Sequence, residues 1–447
     1  MPLTSELAAF CAGLRPDEVP AGALAFVRIG FTDCVGTMIA GRNESVVKKL
    51  RAAIAPPPGE SRLFFDLGTA RPAEAAWLNA TAAHALDFDD AAQRGHLSTV
   101  LVPSILAEAD ALGASGRQMA TAYAAGYEAW AELMRREPDH YHNRSWHPTG
   151  IFGPIAAAAA CVSLRGLDAE RATHALVIAA SHSAGLIANF GSMTKPLHAG
   201  RAAHAGVLAA RLAEAGITGS PDALEHPKGL MAGVSPAGRV DLHSPVEAGR
   251  DWKLPIGGLN VKKYPMCFAT HRALDGVLDL LAEHDASEVA RIVVTTSRRN
   301  KSTLRYDQPQ TALEARFSMH FAMAAAVVAR RAGLRELDDG FVRRADVQAL
   351  MHRVEVLPDD REDATRPGEA PQDTVRIETV RGEHHSRAID YVRGGPEHPL
   401  RANELFDKFE SCLAAGALHA PARSLFDALM AIDSLAGTAD LYRRGAA

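Results

Sequence analysis

Four segments of the chain concentrate the side chains that can move protons or hold an anion. The densest is HALDFDDAAQRGH, residues 84–96, which places His84, Asp87, Asp89, Asp90 and His96 at a helix end and in the loop after it. Carboxylates three residues apart share a helix face. Asp87 and Asp90 are therefore expected to present a pair in which each charge raises the other's pKa, an arrangement suited to acid–base work. The same set suits a divalent metal, and a capped helix end with solvated acids explains it equally well. The second segment, YHNRSWHPTG at residues 141–150, carries Tyr141, His142 and His147. Histidine titrates near neutrality and is the usual general base. Pro148 in a first helical turn leaves His147 at the mouth of a helix, where an anion is favoured; otherwise it is a surface loop histidine.

In the third segment, SMTKPLHAGRAAHAG at residues 192–206, Lys195 precedes a helix beginning near Pro196. It is a point charge for a substrate carboxylate. His198, Arg201 and His204 follow at intervals of three, which predicts either a cationic stripe or a solvated helix face. The fourth segment, KKYPMCFATH at residues 262–271, offers Lys262, Lys263, Tyr264, Cys267 and His271 as substrate-facing groups. Cys267 needs a base and a lowered pKa to act as a nucleophile, and an inert buried thiol is the plainer reading. No phosphate loop or dinucleotide fingerprint is present.

The elements that must position these groups follow from periodicity. At 447 residues, with 47% apolar and 23% charged side chains, the chain exceeds one compact core and is expected to form two domains. Up to about residue 240, helical spacing predicts helices over residues 21–39, 74–86, 104–111, 117–135 and 169–188. Near residue 250 the texture changes. Residues 291–296, 354–357 and 374–379 are β-branched and read as strands, interleaved with amphipathic helices over 271–284 and 319–331. Residues 358–372, charged and proline-containing, read as an exposed loop. Helical spacing returns over 403–413 and 423–435. The expected fold is mainly α, a large all-helical domain from residues 1–250 and 400–447 with a smaller α+β domain, 251–399.

The net charge of −5 and the lack of a dense basic run argue against nucleic acid. The uncharged stretches 145–164 and 176–194 hold too many polar groups and breakers for a membrane span and read as buried helices. The N-terminus lacks the basic and apolar regions of a secretory signal, so a cytoplasmic protein is expected. Cys11, Cys34, Cys161, Cys267 and Cys412 are scattered, without zinc-site, iron–sulfur or disulfide spacing. No metal is expected on that ground.

In this order, AHALDFDD, WHPTG, TKPLHAGRAAHAG and KKYPMCFATH resemble the MmgE/PrpD family along nearly the whole chain. The resemblance implies a helical domain joined to an α+β lid, usually as a homodimer, with the site in a cleft between them. It also implies activity on small polycarboxylates without metal or organic cofactor, as in 2-methylcitrate dehydratase, cis-aconitate decarboxylase or iminodisuccinate epimerase. Their shared step is proton movement at carbon next to a carboxylate. Carried over by position, it makes Asp87, His96, His147 and Lys195 the catalytic set. Tyr141, His198, Arg201, Lys263, Tyr264, Cys267 and His271 surround the substrate. On this reading His147 is the general base, His96 a second acid or base, and Lys195 a carboxylate or enolate partner, while Asp87 orients a histidine. Three residues depart from the decarboxylase pattern: Ala91 for threonine, Cys267 for histidine and Phe321 for tyrosine. A hydro-lyase is therefore the expected reaction, with an epimerase or a non-catalytic binding protein as alternatives.

Overall fold

A computed structural model describes residues 2–65, 67–364, 366 and 368–445. The chain divides into two compact units, Met1–Asn260 with Ala402–Ala447, and Val261–Arg401. It is mainly α-helical, with few strands.

The first unit includes the helices α1 (Leu3–Gly13), α2 (Ala21–Gly41), α3 (Ser45–Ile54), α4 (Pro72–Ala85), α5 (Ser98–Leu112), α6 (Gly116–Arg135), α7 (Pro148–Arg165), α8 (Ala169–Ala180) and α9 (Thr194–Glu214). Helix α9 lies along both α4 and α7, and α6 along α7. Small residues make this possible. A Cβ on Gly200 would collide with Thr81 of α4, and one on Gly206 with Ala157 of α7, so glycine sets how close these backbones come. Helix α2 is long and apolar enough to cross a membrane, yet 72% of its most apolar window is buried inside the protein.

Several expectations are corrected. The first unit is not wholly helical, because β1 (Ser61–Arg62) pairs antiparallel with β2 (Thr69–Ala70). Helix α5 starts at Ser98 and carries Pro103 within it, six residues before the start that the sequence suggests. Helix α8 stops at Ala180, so residues 176–194 are not one buried helix. A polar turn follows, in which the Ser183 hydroxyl donates to the Ile151 carbonyl at 2.6 Å. The helix expected over 423–435 is two pieces, Ala422–Leu429 and a 3-10 turn at Ile432–Ser434.

The helix Ala402–Ala415 packs on α2 and carries the buried Lys408. Its Nζ lies 2.5 Å from Asp33 Oδ1 and donates to the Phe88 carbonyl at 2.8 Å, with the Phe88 ring beneath it. Breaking a buried pair leaves an uncompensated charge. Lys408→Met is expected to lower unfolding free energy by about 3 kcal/mol, read by urea titration, and Asp33→Asn in the same chain should recover part of it. A loss of less than about 1 kcal/mol would mean that the pair behaves like an exposed one.

In the second unit, β3 (Val289–Ser297), β4 (Val354–Asp359), β5 (Asp373–Thr379) and β6 (His384–Ile389) form one sheet in the order β4-β3-β5-β6. Strands β3 and β4 are parallel, the other pairs antiparallel. The helices His271–Glu283 and Met319–Ala329 cover it, and Leu274, Val277 and Leu281 bury with Ile292, Val294, Val375 and Ile377. Strand β6 was not expected: HHSRAI is polar because it is an edge strand with no fully buried position. Strand β4 also takes in Pro358 and Asp359, two residues of the expected loop; Thr365 and Pro367 of that loop lie outside the described residues.

Candidate active site

Helix α4 ends at Ala85, and two residues on Asp87 turns the chain through a left-handed conformation, φ +51°. Aspartate tolerates that region better than most residues. The turn fixes the acids in different directions. Asp87 Oδ1 receives Lys195 Nζ at 2.6 Å, both side chains being buried. Asp89, with a fully buried side chain, takes His84 Nδ1 at 2.9 Å on one oxygen and His96 Nδ1 at 2.7 Å on the other. Asp90 turns away, its Oδ2 accepting from the Ser98 hydroxyl at 2.5 Å and its backbone N–H donating to Asp33 at 2.9 Å. The expected Asp87–Asp90 pair is therefore absent: one acid holds the lysine and the other belongs to the network under the turn. Burial, with the Asp33 charge, pushes the Asp90 carboxyl well above its usual range.

His147 precedes Pro148 at the start of α7, and its N–H donates to the Gly185 carbonyl at 3.0 Å. Its Nδ1 meets His198 Nδ1 of α9 at 3.0 Å, and its ring sits edge-on to Phe190 at 4.9 Å. The ring centres of His84 and His96 are each 6.2 Å from that of His147. Ring nitrogens of His84, His96 and His147 lie within 4.8 Å of one another, and so do donor atoms of His84, Asp87, Asp89 and His96. Imidazole and carboxylate are ligands for first-row divalent ions; His147 joins the three-histidine group from 51 positions beyond His96, so no spacing motif announces it.

The electrostatics keep His84, His147 and His198 unprotonated. Burial opposes the Asp89 charge, but the attraction of His84 and His96 and their hydrogen bonds outweigh it, holding the carboxyl well below its usual range. An ionised carboxylate only accepts, so Nδ1 of each ring donates to Asp89, and His84, kept neutral, has its lone pair on Nε2. Burial pushes His84 down to about 3 against the pull of Asp89. Burial and then the Lys195 charge lower His198 to about 4 and His147 well below 6.5. A group with a lowered histidine pKa stays an unprotonated base as pH falls through 6.5. If His147 is the base, kcat/KM should therefore show no acid limb near pH 6.5 and decline only well below it. A pH–rate profile with a limb between about 6 and 7 would place the essential base elsewhere.

The first unit thus brings together Asp87, His96, His147, Lys195 and His198. Two residues that the sequence put in the cluster without a role, His84 and Asp89, prove central; their one signal was the crowding of titratable groups in residues 84–96. Histidine orientation, expected of Asp87, falls to Asp89. Tyr141 is buried, its ring packing edge-on to Phe152 at 4.8 Å. Arg201 lies over the Trp77 ring and beside His204.

In the second unit Tyr264 and His271 serve the core. The Tyr264 hydroxyl donates to Asp275 at 2.8 Å, and His271 is buried between Tyr264 and Phe268 with Nε2 3.3 Å from the Met266 carbonyl. Cys267 is half-buried, its N–H donating to the Arg316 carbonyl at 2.9 Å, and Lys263 is half-buried. Phe321 lies in the apolar core against Phe341, while Ala91 pairs through its backbone with Asn260 in the first unit.

A lysine–carboxylate pair beside carboxylate-oriented imidazoles defines an acid–base site. Residues 5–243 match the profile described as the MmgE/PrpD N-terminal domain, and residues 264–428 the MmgE/PrpD C-terminal domain. Cis-aconitate decarboxylase of Homo sapiens is 28% identical over 298 residues, covering 64% of this chain and 61% of that protein. The Aspergillus terreus protein of the same name is 22% identical over 464 residues, covering 97% and 94%. The chain thus spans about three-fifths of the human relative and nearly all of the fungal one. The chain belongs to the MmgE/PrpD family.

Proposed function

We propose that this protein is a lyase acting on a small polycarboxylate by proton transfer at a carbon next to a carboxylate, with the chemistry carried by its own side chains. The observation behind this reading is the single Asp89 carboxylate that orients His84 and His96 beside His147 and the Lys195–Asp87 pair. His147 takes the α-proton. Lys195 offsets the charge that develops on the substrate carboxylate. His96, which enters the reaction with a solvent proton on Nε2, delivers it to the departing β-hydroxyl, Asp89 stabilises the imidazolium before the transfer, and His147 afterwards releases the α-proton to solvent. One C–H and one C–O bond break, a C=C bond forms and water leaves.

The names of the relatives favour a second lyase reading, decarboxylation of a cis-aconitate-like acid. There CO2 departs and the same histidines return a proton to carbon. The relatives' names, both those of lyases, support either lyase over an epimerase. The test is incubation of the purified protein with citrate, 2-methylcitrate, cis-aconitate and iminodisuccinate, with products identified by proton NMR. An alkene product with water lost supports the hydro-lyase and loss of CO2 the decarboxylase. Stereochemical inversion alone, or no reaction from a folded sample, rejects the lyase reading.

A further inference from the structure

We propose that His84, His96 and His147 also form a binding site for a divalent transition-metal ion of the zinc type, and that filling it arrests proton transfer. The binding half stands without the proposed reaction; the inhibition half rests on it.

Three observations carry the site. Ring nitrogens of the three residues lie within 4.8 Å of one another; three nitrogens around a tetrahedral zinc ion at 2.0–2.1 Å are about 3.4 Å apart, so small ring movements close the set. His84 Nε2 is fully buried and has no hydrogen-bond partner, a donor atom with nothing to serve. The arrangement around the rings is the one that metal-bound histidines need: Asp89 holds Nδ1–H of both His84 and His96, and His147 can donate Nδ1–H to His198. Each ring is then turned to offer Nε2, with its basicity raised by the acceptor behind it.

Charge points the same way. Lys195 is balanced by Asp87, and Asp89 adds a further negative charge under the rings. Nitrogen donors select zinc, cobalt, nickel or copper over magnesium and calcium. An ion bound there takes the lone pairs that the reaction uses as bases, so it competes with the proton.

The test uses the untagged full chain, stripped with EDTA and titrated with Zn2+ by equilibrium dialysis and with Co2+ by visible absorption. The expected result is about one equivalent per chain with the d–d bands of four- or five-coordinate Co2+. His84→Gln and His147→Gln should each abolish it, and Asp89→Asn should weaken it by about 10- to 100-fold. Circular dichroism checks that the variants fold. Catalytic turnover should fall in proportion to zinc occupancy and return with EDTA. No binding by the folded wild-type chain, or binding that both histidine variants retain, overturns the site. Turnover unchanged at full occupancy overturns the inhibition. If the wild-type chain turns over none of the acids, dialysis still decides the binding half.

Discussion

His147→Asn is expected to reduce turnover by about 10²- to 10⁴-fold, the usual contribution of a positioned general base, while leaving the fold in place. Asparagine is a favoured residue at a helix start, so α7 keeps its beginning, and the backbone hydrogen bond to Gly185 does not involve the side chain. The imidazole lost is buried, neutral and faces His84 and His96 rather than solvent. Steady-state kinetics on the acid that is turned over would measure the effect, with urea unfolding as the check on stability. A variant that keeps turnover within about threefold of wild type would remove His147 from the base role, and one that no longer folds would make it a structural residue.

Asp89→Asn should act by another route and cost about as much. Asparagine has one acceptor oxygen and one NH2 donor, so it can satisfy Nδ1–H of only one of the two histidines. The other ring must adopt the tautomer with hydrogen on Nε2, which removes its lone pair from the site. A comparable carboxylate-to-amide exchange behind the histidine of a serine protease lowers kcat by about 10⁴ with geometry intact, and a loss of about 10²- to 10⁴-fold is expected here. Since Asp89 positions bases and does not itself touch substrate, kcat should fall far more than KM rises. A change confined to KM, or lost stability with undiminished kcat in the folded fraction, would contradict the positioning role.

Helices were legible where apolar spacing was regular, as in α2 and α6, and were misjudged where chemistry interrupts it. Pro103 masked the first turn of α5, because a proline early in a helix removes one hydrogen bond without ending it. The polar turn after Ala180 was hidden inside an uncharged run. Strands β3 and β5 announced themselves by β-branched residues, whereas β6 did not, since it owes its place to pairing with β5 rather than to burial. At the site, the sequence pointed to residues 84–96, His147 and Lys195 but not to how they are shared. Spacing placed Asp87 and Asp90 on one helix face, yet the helix ends at Ala85 and the left-handed Asp87 separates them. Tyr264 and His271 sit in a segment dense with polar side chains, and only packing shows that they are spent on Asp275 and on the Met266 carbonyl.

The most direct test of the central claim is the fate of the α-proton, followed by proton NMR in D2O on the polycarboxylate that the protein converts, with wild type and His147→Asn side by side. The account predicts that wild type loses the α-proton signal to solvent as an alkene forms, or gains deuterium at that carbon where CO2 leaves, and that a folded His147→Asn protein does neither at a comparable rate. Conversion that releases neither the α-proton nor CO2, or conversion at the wild-type rate in the variant, would contradict it.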